Sequence, residues 1–228
     1  MATPTVENYL KAMLALTRES GAVTISDLST ELGVSKPTAN NMIRRLSERG
    51  LIHYQKYQPL RLTEQGRRQA ALVVRKHRLT EMYLVKKMGF GWEEVHPIAE
   101  QIEHIDSPAF FEKMDQLLGS PNYDPHGSPI PDREGNLRGT DRERLGECQA
   151  GAVVVLAGLN DSSADFLRYL DEKGLRLGTL MKIEAIDAYD KSVRLSYGGK
   201  ETTLPETTVQ QLLVVKPSHD PSSGSATK

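Results

Sequence analysis

The order of elements in residues 24–62 constrains the fold more than any other feature of the sequence. The apolar spacing predicts a short helix near 25–32, a turn at Gly33 and a second helix near 35–49. The run "LIHYQKYQPLRLT" that follows alternates through β-prone residues and predicts a small hairpin. Helix, turn, helix and hairpin in this order indicate a winged helix-turn-helix, in which the second helix typically enters the major groove of DNA.

Polar side chains crowd the predicted start of that second helix. Ser35 is a suitable N-cap, and Pro37 falls in the first turn, where a missing N–H is tolerated. Met42, Ile43 and Leu46 are predicted to face inward. Short polar side chains suit base edges, and cationic or phenolic groups suit phosphates. The residues predicted to contact DNA are therefore Ser35, Lys36, Pro37, Thr38, Asn40, Asn41, Arg44, Arg45, Tyr54, Lys56 and Tyr57. A winged helix used for protein contacts is the alternative.

The charge distribution also indicates a polyanionic partner. The net charge is −1, but residues 1–90 carry 15 Lys+Arg against 7 Asp+Glu, a balance of +8. The remainder carries 14 basic and 23 acidic residues, a balance of −9. A basic amino half suggests nucleic acid as the partner, with a solvated basic surface as the alternative.

The amino half is otherwise predicted to be helical. One helix begins near Thr5, a long one follows the N-cap Thr63 and runs towards Met88, and two more begin near His96 and Ser107. The spacing of their apolar residues is that of amphipathic helices that pack on one another.

The carboxyl half differs from the amino half in composition and in predicted secondary structure. Residues 119–147 are rich in Pro, Gly, Asp and Asn, which predicts a linker or an extended wrap. Short β-type runs follow, with one helix between them, and they predict a small five-stranded barrel. The expected fold is mainly α with small β parts: a winged helix over 1–63, a helical domain with its linker over 64–147, an SH3-like β-barrel over 148–216 and a disordered tail over 217–228.

Targeting features are absent from the sequence. No run approaches the roughly 18 apolar residues that a membrane span needs, and "MATPTVENYL" lacks the character of a signal peptide. The single cysteine, Cys148, excludes an internal disulfide and suits a reducing compartment. A cytoplasmic location without membrane contact is expected.

The segment "HPIAEQIEHID" carries ionisable groups where an amphipathic helix normally has its apolar stripe. His96, Glu100, Glu103 and His104 stand at helical offsets 0, 4, 7 and 8. Burying such groups without partners costs free energy, so the pattern predicts that something satisfies them. Solvated faces and helical ion pairs are the ordinary explanation.

A second pair of the same type makes a divalent-metal site the preferred interpretation. His77 and Glu81 lie at i and i+4 in "RKHRLTEMY", the same spacing as His96 and Glu100. Imidazole and carboxylate ligands suit manganese and ferrous iron. Two alternatives remain open: a helical metalloenzyme of the di-iron type, and a winged-helix regulator that senses an organic ligand.

The chain resembles the diphtheria-toxin-repressor and manganese-transport-regulator family of metal-dependent transcriptional repressors. The resemblance rests on "VENYLKAM", the winged helix, "RKHRLTE", "HPIAEQIEH", "PHGSPIP" and the terminal barrel-like domain. It implies a non-enzymatic homodimer that binds a palindromic operator in double-stranded DNA and represses metal-uptake genes. It also implies a metal-binding and dimerisation domain after the winged helix, dimer contacts around "FFEKMDQLL" and a terminal domain of the FeoA-like type.

The resemblance also implies roles for individual residues. His77, Glu81 and His96 match the family's ancillary metal ligands. Glu100, Glu103, His104 and Asn8 match its primary site, and metal there is expected to tie the first helix to the others and to free it when lost. A carboxylate at Glu100 favours Mn²⁺, with Fe²⁺ as the alternative.

The chain departs from the family pattern at several of these positions. Asn8 stands where Met or Asp is usual. Lys11 stands where some manganese-responsive members have a carboxylate, which argues for two separate sites rather than a two-metal cluster. Arg78, Asp124 and Ser128 match positions that bind an anion in some members, with Asp124 acidic where a hydroxyl is expected. The terminal domain contributes metal ligands in certain relatives, and Asp161 or Asp165 is the candidate for that part here.

Overall fold

The structure is a computed structural model that describes residues 3–137, 139 and 141–217, without the side chains of 18–20. It divides into two compact units. The first comprises Met1–Pro125 and Pro129–Gly139, and the second comprises His126–Ser128 and Thr140–Lys228. The predicted disordered tail lies, from residue 218 onwards, outside the described residues.

The first unit begins with a helix and a winged helix-turn-helix, as the sequence predicts. Thr24 and Asp27 form a reciprocal capping box at the second helix. The Ser35 hydroxyl accepts a hydrogen bond from the Thr38 backbone N–H at 3.3 Å, which caps the third. The elements are α1 (Pro4–Ser20), α2 (Ile25–Glu31), α3 (Lys36–Glu48), β1 (Ile52–His53) and β2 (Arg61–Leu62).

One apolar core joins α1 to the winged helix. Leu10 and Met13 of α1 are fully buried in it with Ile43 and Leu46 of α3. The third inward position of α3 is Ala39 rather than Met42, which is only partly buried against the core. The strands of the hairpin pair antiparallel, with Ile52 opposite Leu62.

The helix α4 (Glu64–Tyr83) packs against α1, α5 (His96–Ile102) and α6 (Pro108–Leu118) and is the centre of the helical region. Its end widens into a π-helical turn at Leu84–Met88. The sequence prediction for α5 is partly wrong, because the helix ends at Ile102 and leaves Glu103 and His104 in the following turn. The Ile105 N–H bonds to the Ile102 carbonyl at 3.0 Å, three residues back, so the helix closes in a tighter turn, and Pro108 then keeps Ser107 in extended backbone at φ −140°.

The second unit is an antiparallel sheet with a helix packed on it. Among the described residues the sheet has six strands in the order β3-β8-β4-β5-β6-β7. The predicted five-stranded barrel omits β3, which lies inside the segment interpreted as a linker and pairs with β8. The elements are β3 (Glu143–Arg144), β4 (Val153–Leu159), α7 (Ala164–Lys173), β5 (Leu180–Ile186), β6 (Val193–Tyr197), β7 (Lys200–Leu204), α8 (Glu206–Val209) and β8 (Leu212–Val215).

In the part of the chain that the structure describes, no helix combines the length and the apolar character that crossing a bilayer requires.

A close backbone contact joins the winged helix to α4. The Thr63 hydroxyl caps α4 at Gly66 and donates to the carbonyl of Gly50 at 2.8 Å. The Thr63 N–H donates to the carbonyl of Leu51 at 3.0 Å. A Cβ at Gly66 would overlap that Leu51 carbonyl, so only glycine lets α4 approach the hairpin this closely.

Gly66→Ala is therefore expected to destabilise the first unit by about 1–3 kcal/mol, because the added methyl group forces the backbone of Leu51 to move. Urea unfolding followed by circular dichroism measures the change. Gly139→Ala is the matched control, since a Cβ there meets no heavy atom within 4 Å. If the two variants had the same free energy of unfolding, close packing of Gly66 against Leu51 would not be what requires glycine there.

Candidate metal centre

His77 and Glu81 lie one turn apart on α4, where the i, i+4 spacing puts both side chains on one face. The His77 Nε2 is 2.9 Å from the Glu81 Oε1. Both residues are buried, with 8% of His77 and 3% of Glu81 exposed. Two ionisable groups removed from water in this way need further partners.

The start of α5 supplies the first of those partners. Pro97 lies in the first turn of this helix, as predicted, where its missing N–H costs no helical hydrogen bond. The His96 Nδ1 is 3.1 Å from the His77 Nε2 and 3.3 Å from the Glu81 Oε1. Its Nε2 is 3.6 Å from the Glu100 Oε1. One potential ligand atom from each of His77, His96 and Glu100 lies within 4.8 Å of the other two.

Glu103, in the turn after α5, has a fully buried side chain and joins three parts of the fold. Its Oε2 lies 2.6 Å from the Nδ1 of His77 on α4. Its Oε1 lies 2.7 Å from the Nζ of Lys11 on α1 and 3.7 Å from the Nε2 of His104. One carboxylate thus links α1, α4 and the turn after α5.

The helix α1 contributes two charged groups that the sequence prediction did not assign to the site. The Glu7 Oε2 is 2.6 Å from the His104 Nδ1, and the Lys11 Nζ is 2.5 Å from the Glu100 Oε1. In the sequence, Glu7 is a single acidic residue in the first turn of a helix, which does not by itself indicate a functional site. Its i, i+4 spacing from Lys11 was the available clue, because it places both on the face of α1 that carries Asn8.

Asn8 tests whether the arrangement suits a metal ion. Among the described residues, its Oδ1 is a buried oxygen without a hydrogen-bond partner in the structure. A buried carbonyl oxygen normally has one, and an amide oxygen is a ligand that manganese and iron accept. The residues present, with carboxylate, imidazole and amide donors, therefore fit a divalent cation.

The surroundings of the buried pair of His77 and Glu103 favour its ionised form. Burial by itself lowers the pKa of His77, but hydrogen bonds to Glu103 and Glu81 outweigh it and raise the pKa to about 9. Burial likewise raises the pKa of Glu103, and hydrogen bonds with His77 and Lys11 outweigh it and lower the pKa. His77 is therefore protonated at neutral pH and donates to both carboxylates.

The structure brings together six of the predicted ligands but does not keep the two predicted sets apart; the six are His77, Glu81, His96, Glu100, Glu103 and His104. Glu103 of the primary set contacts His77 of the ancillary set, and Glu100 lies within 4.8 Å of His77 and His96. The division into two sites stays a prediction.

Nearby on α4, the Arg78 guanidinium lies 3.3 Å from the carboxylate of Asp124 and donates to the carbonyl of Pro129 at 2.5 Å. An anion at Arg78 would have to displace that carboxylate.

Other residues singled out from the sequence lie in the second unit. Ser128 belongs to it. Asp161 accepts a hydrogen bond from the Ser163 N–H at 2.8 Å. Asp165 pairs with Arg168 at 2.7 Å and is exposed to solvent. Their match to ligand positions stays a prediction.

The residues predicted to contact DNA lie on the surface of the winged helix, with two exceptions. Asn40 is half-buried, and the half-buried Tyr54 packs on the core and donates its hydroxyl to the Asn40 Oδ1 at 3.5 Å. Tyr57, at the tip of the hairpin, is 90% exposed and has a positive φ of 68°. The remaining exposed residues are Ser35, Lys36, Pro37, Thr38, Asn41, Arg44, Arg45 and Lys56.

Comparison with protein families agrees with this geometry. Residues 1–60 match the profile described as iron dependent repressor, N-terminal DNA binding domain, and residues 63–132 match iron dependent repressor, metal binding and dimerisation domain. Residues 143–216 match the FeoA domain. A winged helix, an ionisable cluster beside it and a small β domain thus define a class of ligand-responsive DNA-binding regulators.

Whole-chain similarity specifies the family. The iron-dependent repressor IdeR of Mycobacterium tuberculosis is 29% identical over 224 residues, which cover 93% of this chain and 97% of that protein. The diphtheria toxin repressor of Corynebacterium glutamicum is 26% identical over 223 residues, or 93% and 96% of the two chains.

The structure of a manganese-dependent transcriptional repressor in complex with manganese is 32% identical, with a TM-score of 0.83, and the match covers 93% of this chain and all of that one. This chain belongs to the family of metal-dependent transcriptional repressors. Because the family consists of transcriptional repressors and not of enzymes, the metalloenzyme alternative is wrong.

The raised pKa of His77 makes stability depend on pH. A folded-state pKa of about 9 against an ordinary 6.5 means that the His77 contribution is fully present below pH 6.5 and is lost as the pH rises through 9. We expect the free energy of unfolding, measured with urea in the presence of a chelator, to fall over this range. His77→Gln should flatten the fall, and an unchanged slope in that variant would contradict the assignment.

Proposed function

We propose that this chain is a manganese(II)-dependent repressor, with iron(II) as the alternative metal, that acts in the cytoplasm as a homodimer on genes for metal uptake. One observation carries the proposal. The cluster of carboxylates and imidazoles that suits a divalent cation shares its groups with α1, the helix that packs in the core of the winged helix. A ligand there acts directly on the DNA-binding region.

The proposed primary ligands are Glu100, Glu103, His104 and Asn8, and the proposed ancillary ligands are His77, Glu81 and His96. A carboxylate at Glu100 adds a hard oxygen donor, which favours manganese and iron over softer metals. Among the related structures is a manganese-dependent repressor in complex with manganese, and the related curated proteins include iron-dependent repressors. Both metals are therefore retained in the proposal.

The protein contributes to switching through the ion pairs that join α1 to α5 and to the turn after it. A bound divalent cation supplies the positive charge that lets several carboxylates and the Asn8 amide meet at one point. Such a ligand shifts the protein only as far as it prefers the DNA-competent arrangement. Because Glu7 and Lys11 also tie α1 to this region, loss of metal alters the angle of α1 rather than freeing the helix altogether.

The exposed start of α3 is proposed to contact the bases, and the tip of the hairpin is proposed to contact the neighbouring phosphates. Two copies related by a two-fold axis would meet two half-sites, so a palindromic operator is proposed. The proposed dimer surface includes α6, where Phe110 and Leu117 are 43% and 49% exposed. These two residues are seven positions apart and therefore lie on one face.

Manganese-dependent DNA binding tests the proposal. Duplexes selected from a randomised library by the full-length protein with MnCl₂ provide the probe for fluorescence anisotropy. We expect Glu103→Gln and His104→Ala each to lower the affinity with MnCl₂ by about tenfold or more, since typical coupling between two sites is 1–3 kcal/mol.

Glu94→Gln is the control, because Glu94 lies before α5 and accepts a local hydrogen bond from the Gly91 N–H at 2.8 Å. It should bind the selected duplex as the natural sequence does. Manganese-stimulated binding that survives Glu103→Gln and His104→Ala unchanged would refute the mechanism. The absence of heat with both Mn²⁺ and Fe²⁺ in calorimetry would favour a regulator that senses an organic ligand.

Association through α6 has its own test. Leu117→Glu places a charge on the exposed apolar face, and we expect the dimer to dissociate at concentrations about tenfold higher or more, because a charged group buried without a partner is costly. Sedimentation velocity measures the change. Gln116→Glu adds the same charge at the neighbouring exposed position and should leave the dimer intact. Equal effects of the two variants would place the interface elsewhere.

A further inference from the structure

The ammonium group of Lys11 lies on the carboxylates that are proposed to hold the metal. Its Nζ is 2.5 Å from the Glu100 Oε1 and 2.7 Å from the Glu103 Oε1, so one cation bridges both oxygens. The Glu103 carboxylate has no solvent exposure, and the Lys11 side chain is 20% exposed. The contact is therefore a partly buried, charge-assisted pair rather than a surface ion pair.

A divalent cation that coordinates these oxygens competes with the lysine for the same atoms. An ammonium at hydrogen-bonding distance from both oxygens occupies the space beside them that a second cation would fill. Like charges about 4 Å apart repel strongly when water is partly excluded. Full coordination by Glu100 and Glu103 thus requires Lys11 to release them.

We propose that Lys11 is a built-in competitor for the metal, a tethered cation that lowers the affinity of the Glu100 and Glu103 site for divalent ions and so sets the metal concentration at which the protein responds. This inference rests on the proposed function. It adds to that function the residue that sets the metal concentration needed for a response.

The lysine is suited to this role by its chemistry and its place in the chain. Its long stem lets the ammonium move out to solvent, to which it is already partly open, and an ammonium is strongly hydrated there. Because Lys11 stands on α1, its release removes one tie between α1 and Glu103. The exchange of a lysine for a metal ion therefore also changes how α1 is held.

Calorimetric titration of the full-length protein with MnCl₂ tests the inference. Lys11→Met removes the charge and keeps the length, and we expect it to bind Mn²⁺ about tenfold more tightly or more, the effect of losing one charge-assisted hydrogen bond. Without metal its thermal midpoint should be lower than that of the natural sequence, and MnCl₂ should raise it by more. Lys11→Arg keeps the cation and should keep the natural affinity.

Lys76→Met is the matched control. Lys76 is another cation beside the cluster, 3.9 Å from the Glu7 Oε1, and its ammonium donates to the carbonyl of Ile105 at 3.4 Å rather than bridging two carboxylates as Lys11 does. A gain in affinity as large for Lys76→Met as for Lys11→Met would show general electrostatic repulsion and overturn the inference. Unchanged or weaker Mn²⁺ binding by Lys11→Met would overturn it too. If Lys11→Met does not fold, Lys11→Gln is used in its place, and the same gain in Mn²⁺ affinity is expected.

The titration separates the two proposals. Binding by the natural sequence that Glu103→Gln abolishes, together with an unchanged affinity in Lys11→Met, would remove the role of Lys11 and leave the proposed metal site standing. Absence of Mn²⁺ and Fe²⁺ binding by the natural sequence would overturn both.

Discussion

The buried carboxylate of Glu103 is the constraint on which the arrangement of the helical region depends. A charge without solvent contact is tolerated only where opposite charges and hydrogen-bond donors surround it. Its partners come from elsewhere in the chain: His77 from α4 and Lys11 from α1. The position of α1 against α4 is thus coupled to the turn after α5. Ordinary apolar packing of Leu10 and Met13 stabilises α1 but does not create this coupling.

The same carboxylate gives the proposed metal site a physical route to the DNA-binding surface. Groups that satisfy Glu103 also orient α1, and α1 shares its core with the recognition helix α3. Any ligand that takes oxygens of Glu103 or Glu100 has to replace contacts that already exist, with Lys11 and His77. On the proposed ligand assignment, the response to metal is an exchange of partners, and its free energy is the difference between two satisfied states.

Much of the fold was predictable because its determinants are local. The winged helix follows from apolar periodicity, from the cap at Ser35 and from a hairpin of β-prone residues, and the start of α4 follows from the cap at Thr63. The end of α5 was missed because the spacing of its ionisable side chains continues to His104, whereas the backbone closes into a turn after Ile102. The strand β3 was missed because two residues become a strand only by pairing with β8, which lies far along the chain.

The candidate site divides in the same way. The sequence by itself determined which side chains belong together on one face, because the spacing of His77 and Glu81, and of His96 and Glu100, follows from the geometry of a helix. Only the tertiary structure decided which faces meet. It brought Glu7 to His104 and Lys11 to Glu103 across more than ninety positions of sequence. Those contacts depend on the packing of α1 against α4 and on the turn after α5, and no local pattern encodes the distance between separate elements.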